Sequence, residues 1–313
     1  MIAKLQPNRV RRTYLGGGRI DGFTGIAASC SDGVPRPEDW LASTATAFNG
    51  TLEIEGEGLG RLEDGRLVKD VVGSLPMLVK LLDSDERLVI QAHPTVQCAK
   101  RLFGSQVGKT ECWYFLPGTA PDACVYLGFK PGVTRETWRT AFETQRGLLD
   151  MLHRIHVAPG DFVFVNGGVP HAIGGGCFMV ELQEPSDLMV VAERFTPSGR
   201  RIPDAKMHGG VGWENMFDVY EYESRSLEET CAKYVRRSMR GAFGICGSEF
   251  TDKFSMWRME GRSRLDLPRA ACVIATDGSG ALNGLAVDKG DRLLVADESV
   301  LETEGDVTLV VCA

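Results

Sequence analysis

In Asn49-Gly50, Asp64-Gly65, Asp277-Gly278, Asn283-Gly284 and Lys289-Gly290, a glycine directly follows a polar or cationic residue. Such pairs supply the positive-φ positions of tight turns, so the segments between them must be short and double back. The pattern is clearest over residues 265–313. There the runs 271–275, 281–287, 292–296 and 307–311 are rich in Val, Leu, Ile and Ala and are separated by turn signals. A mainly β chain with some α follows, ending in a small barrel or jelly roll.

Helices are expected in smaller number. Thr134 can cap a helix whose apolar residues Trp138, Ala141, Phe142, Leu149 and Leu152 fall at helical steps before Pro159. Residues 76–82 and 227–236 read as shorter amphipathic helices, and 37–48 as a further one. Between Val211 and Phe243 apolar β-runs give way to a charged helix and a loop, so the 313 residues divide into 1–225 and 226–313.

Composition narrows the function classes. No run of about 18 apolar residues is present, which argues against a membrane-spanning helix. Residues 1–12 carry scattered bases without the apolar run of a secretory signal, so the chain reads as cytoplasmic. The nine cysteines are odd in number and contain no C-x-x-C pair, which points to reduced thiols. A net charge of −7 disfavours a nucleic-acid surface and leaves any anionic ligand to be drawn by a few local Lys and Arg.

Chemistry concentrates in three stretches. Residues 88–94 (Leu-Val-Ile-Gln-Ala-His-Pro) alternate as a strand, so Gln91 and His93 share a face. In 108–115, Lys109 and Glu111 share one face while Cys112 takes the other. From Gly160 to His171 the spacing G-x5-N-x-G-x2-H resembles the second cupin signature, in which a hairpin delivers one histidine into the barrel. On this reading the fold is two cupin-type jelly-roll barrels with a small helical segment. The first carries the site; the second has none, because no histidine follows His208.

Gln91, His93, Glu111 and His171 together form a mixed N/O set suited to Zn2+, or to manganese, iron or cobalt. With one charged ligand, a divalent ion would keep about +1 of local charge and open positions for an incoming oxyanion. His153 and His156 lie three apart on the expected 134 helix and read as contacts with its C-terminal dipole rather than as a ligand pair. His208 is given no role.

Four segments then resemble type I phosphomannose isomerase in its short bacterial form: 13–18 (Thr-Tyr-Leu-Gly-Gly-Gly), 75–80 running into 90–94, 108–114, and 170–174 with 181–187 beyond. The resemblance implies that Gln91, His93, Glu111 and His171 hold one zinc ion. It further implies that Lys80 and Lys109 are the site lysines, Lys109 being able to hold phosphate as a point charge. Two positions depart from the family pattern. Val89 stands where a phosphate-pocket serine is common, and Val191 where the catalytic arginine falls. Arg194 is expected to take that arginine's place, with Arg200 or Arg201 as substitutes.

The implied reaction interconverts mannose 6-phosphate and fructose 6-phosphate through a cis-enediol. Metal and Arg194 would stabilise developing charge, and Glu181 would be the base. A sugar-phosphate-binding cupin without turnover is the alternative. An iron-dependent dioxygenase is disfavoured by the Lys80 and Lys109 pair. The implied partner is a small-molecule sugar phosphate, with no nucleic acid and no membrane, and the chain is expected to be a monomer or weak homodimer.

Overall fold

The computed structural model describes residues 1–27, 33–47 and 55–313, so the Asn49-Gly50 turn and Phe48 lie outside the described residues. The chain is mainly β, and its strands form three sheets with antiparallel pairing throughout the described residues. A seven-stranded sheet runs in the order Val235–Arg236, Phe162–Val165, Glu111–Phe115, Cys177–Gln183, Leu78–Ser84, Glu38–Leu41 and Arg9–Val10. A five-stranded sheet runs Val190–Val191, Gln91–Ala92, His171–Ile173, Cys124–Phe129 and Leu152–His156. The third sheet, of eight strands, is built from the C-terminal runs together with Ile2–Lys4.

Cross-strand register fixes what the seven-stranded sheet shows on each side. Glu181 is paired with both Lys80 and Trp113, Lys80 with Trp40, and Gln183 with Glu111. Direct partners share a face, so Trp40, Lys80, Glu181, Trp113, Glu111 and Gln183 all stand on one side. Intervening residues such as Leu81, Val180 and Cys112 project from the opposite face and join a core with Cys272, Ile274, Leu294 and Val310 of the third sheet. One face is mainly apolar, with buried Asp39 and Asp83 on it, and the other carries the metal-group glutamate and Lys80.

The sheets also cross the boundary expected at 225/226. Ile2–Lys4 pairs with Arg292–Val295, and Val235–Arg236 pairs with Phe162–Val165. Among the described residues no helix is long and apolar enough to cross a membrane.

Several expected helices are strands. Residues 76–82 enter the strand Leu78–Ser84, buried along its whole length between two neighbours. A strand covered on both faces needs no alternation, so its apolar run cannot be told from a buried helix by period. Over 37–48 the structure has the strand Glu38–Leu41, where pairing with Leu78–Ser84 overrides local preference.

The 134 helix is real but shorter than expected. Thr134 and Thr137 form a reciprocal cap on Arg135–Thr144, which buries Trp138, Ala141 and Phe142 against the five-stranded sheet. Gln145 then turns left-handed at φ 53° and Gly147 at φ 71°, and the chain re-enters the sheet as Leu152–His156. His153 and His156 therefore sit on a strand, bonded to the carbonyls of Arg225 and Pro121 at 2.8 Å.

The 227–236 helix forms over Leu227–Tyr234 behind a Ser226–Glu229 capping box, and its last two residues become a strand. The C-terminal β-runs are all present, with Asn283-Gly284 as a two-residue hairpin turn whose φ values are 47° and 80°. Asp277-Gly278, expected as a turn, instead lies inside the strand Ala271–Leu282 beside a register shift.

Candidate metal centre and adjoining cavity

The five- and seven-stranded sheets each contribute part of the site. Gln91 and His171 are direct cross-strand partners in the first, and Glu111 lies on the chemical face of the second. In 88–94 only Gln91–Ala92 is laddered, and His93 follows immediately before Pro94 ends the strand. His93 Nε2 lies 3.2 Å from Glu111 Oε2, and His171 Nε2 lies 3.3 Å from Glu111 Oε1. All three side chains are buried, and a ligand atom from each lies within 4.8 Å of the others.

Backbone carbonyls set the imidazole tautomers. His93 Nδ1–H donates to Leu188 O and His171 Nδ1–H to Val169 O, each at 2.9 Å. That leaves the Nε2 atoms as lone pairs directed at Glu111. Burial, with Lys109 adding to it at His93, pulls both imidazoles below the ordinary histidine pKa, to about 3 for His171. Burial opposes the charge of Glu111, yet Lys109 and the imidazoles outweigh it and hold the carboxyl well below its usual range.

This donor set fits a divalent ion. His171 Nε2 is buried with no hydrogen-bond partner among the described residues, an arrangement that a cation would complete. Lys109 Nζ already acts as a stand-in, 2.7 Å from both His93 Nε2 and Glu111 Oε2. Gln91 stands opposite His171 on the neighbouring strand and also lines the neighbouring cavity.

That cavity, about 50 Å³, is bounded by Gln91, Lys109, Lys80, Glu181, Arg12 and Lys206 among others. Lys80 Nζ donates to Glu181 Oε1 at 2.9 Å and lies 3.8 Å from Glu38. Burial raises the Glu181 carboxyl above the usual range, although Lys80 draws it down. Glu38 behaves oppositely. Burial disfavours its charge, but Arg12 and Lys80, with hydrogen bonds from Trp40 and Tyr14, hold it well below the usual range.

The resemblance places the arginine at Val191, and Arg194 is the expected substitute. Arg194 spreads its guanidinium over Phe142 and Trp213, with centroid distances of 5.4 and 5.9 Å, and does not line the cavity. Its backbone N–H is tied to Gln145 Oε1, which anchors the segment to the end of the 134 helix. Arg200 and Arg201 are exposed. The cavity-facing arginine is Arg12, 3.0 Å from Glu38 and 3.3 Å from Asp187.

Arg12 and Lys206 were not singled out from sequence. Arg12 adjoins the Thr13–Gly18 segment that carried part of the resemblance, which is the one signal that could have found it. Lys206 sits in a four-residue helical turn, Asp204–Met207, with no motif around it. Val89 and Val191 do line the cavity, as an apolar wall.

The fold is that of mannose 6-phosphate isomerase structures. The enzyme of that name from Bacillus subtilis superposes with a TM-score of 0.72 over 100% of this chain and 99% of that one, at 20% identity. A mannose 6-phosphate isomerase bound with zinc and yttrium superposes at 0.67 over 99% of this chain and 98% of that one, at 15% identity. In sequence, the chain is 41% identical over 113 residues to the mannose-6-phosphate isomerase ManA of Bacillus subtilis, covering 36% of this chain and 35% of that protein. The chain thus spans about a third of the length of the curated relatives it matches. No protein-family model matches it.

Proposed function

We propose that the chain is a metal-dependent aldose–ketose isomerase that interconverts mannose 6-phosphate and fructose 6-phosphate through a cis-enediol. The observation that carries this reading is the buried His93, Glu111 and His171 group, whose His171 Nε2 lacks a partner, beside a cavity lined by Lys109 and the Glu181–Lys80 pair. Its likeness in fold to isomerases of this kind, one of them bound with zinc, supports it.

Gln91, His93, Glu111 and His171 would hold the ion, read as Zn2+, which when bound supplies Lewis-acid polarisation of the sugar's oxygens. Glu181 takes a proton from C2 of the aldose and, after exchange with solvent, delivers one to C1 of the enediol, while a proton passes from the C2 hydroxyl to the C1 oxygen. A carboxyl whose pKa is raised by burial holds an abstracted proton more readily than an ordinary glutamate does. Lys80 fixes the orientation of Glu181 through their 2.9 Å bond. Lys109, within reach of the metal group and the cavity, offers its ammonium to a substrate oxygen once it is displaced from His93. The partner is a small sugar phosphate, handled by a monomer or weak homodimer.

The test is to incubate zinc-loaded protein with mannose 6-phosphate in deuterated water. Fructose 6-phosphate carrying solvent deuterium at C1 is expected. Absence of product with the metal bound would remove the isomerase reading and leave a binding protein.

A further inference from the structure

The small cavity beside the metal group shares Asp187, Met189 and Lys206 with a second cavity of about 300 Å³, whose wall also includes Phe103 and Leu188. The inner cavity, about 50 Å³, is the smaller of the two, and a ligand that reached the metal group from the wider space would pass Lys206. Lys206 stands at the neck between them.

The cations around the inner cavity differ in how they are engaged. Lys80 is bonded to Glu181, Lys109 to Glu111 and His93, and Arg12 to Glu38 and Asp187. Lys206 is 7% exposed, and among the described residues its ammonium has neither a hydrogen bond nor an ion pair. The wall at Val89 and Val191 offers no polar group to an anion.

We propose that Lys206, with Arg12 beside it, receives the phosphate monoester of the substrate at the neck between the two cavities. Among the described residues that ammonium has no acceptor, and an incoming oxyanion would supply one. Burial and the Arg12 guanidinium together pull the Lys206 ammonium below the ordinary lysine pKa, while Asp187 partly offsets them. An anion at the neck would favour its charged form. Lys80 is then left to Glu181 and Lys109 to the metal end, instead of both serving the phosphate.

The sugar's identity rests on the isomerase reading; the anion site does not. Calorimetry with inorganic phosphate tests it on wild type, Lys206→Met and Lys206→Arg. Phosphate affinity is expected to fall about 10- to 100-fold in Lys206→Met, the range for one charge-assisted hydrogen bond, and to stay within about threefold in Lys206→Arg. In turnover, Lys206→Met should raise KM for mannose 6-phosphate by a similar factor with little change in kcat. Its ligand-free melting temperature should not fall, because the change breaks no hydrogen bond or ion pair among the described residues. Phosphate binding by Lys206→Met equal to wild type, or none by wild type, would overturn the proposal. Lys206-dependent phosphate binding without isomerisation would leave it standing and refute the isomerase reading.

Discussion

Lys109 Nζ lies 2.7 Å from His93 Nε2, so the ammonium occupies the lone pair that a metal ion would take. The two cations compete for one atom. Replacing Lys109 by Met should therefore tighten zinc binding about tenfold, equivalent to one net hydrogen bond to a charged group, while turnover falls. A chelator-competition titration of both proteins measures this; weaker binding by the variant would contradict the competition.

As the proposed base, Glu181 should make the rate sensitive to pH. Its carboxyl is raised above the usual range chiefly by burial, and a base works only when deprotonated. The rate should consequently fall as pH drops through that raised pKa, earlier than for an ordinary glutamate near 4.3. Glu181→Gln should lower kcat about 100- to 10,000-fold with metal content unchanged. Rate–pH profiles with metal analysis check both; a variant that keeps its zinc and its rate would remove Glu181 as the base.

Glu38 governs acid stability. Its folded pKa is depressed, so it contributes stability above its unfolded pKa and loses that contribution as pH falls toward the folded value. Glu38→Gln leaves Arg12 with one buried carboxylate fewer and should cost about 3 kcal/mol at neutral pH, with a shallower loss of stability in acid. Denaturant titrations at pH 7 and pH 4 measure it.

Arg194 supplies a contrast. Stacked on Phe142 and Trp213, it should contribute about 0.5–1 kcal/mol to stability and little to the chemistry. Arg194→Ala is expected to melt slightly earlier and to keep its kcat within about threefold, a change of under 1 kcal/mol in the barrier. A larger loss in a steady-state assay would return Arg194 to the site.

What the sequence revealed follows from the range of the interactions involved. Strand parity put Lys109 with Glu111, and their 2.7 Å bond agrees. The Asn283-Gly284 turn is a local signal and folds as read, whereas the segment read as a hairpin before His171 carries the chain from the seven-stranded sheet into the five-stranded one. The strands Leu78–Ser84 and Glu38–Leu41 were less legible, because burial on both faces erases the period that would mark them. Arg12 and Lys206 meet at the cavity from segments nearly 200 residues apart in the chain, and no spacing rule joins such residues. Arg194 is the contrasting case: its guanidinium lies over Phe142 and Trp213 and does not line the cavity.

Titrating zinc into metal-free protein while following isomerisation of mannose 6-phosphate tests the central claim most directly. Activity should rise in proportion to bound metal, saturate at one ion per chain and vanish with a chelator. His171→Ala should lose metal and rate together. Full activity in the chelated protein, or in a metal-free His171→Ala, would contradict the account.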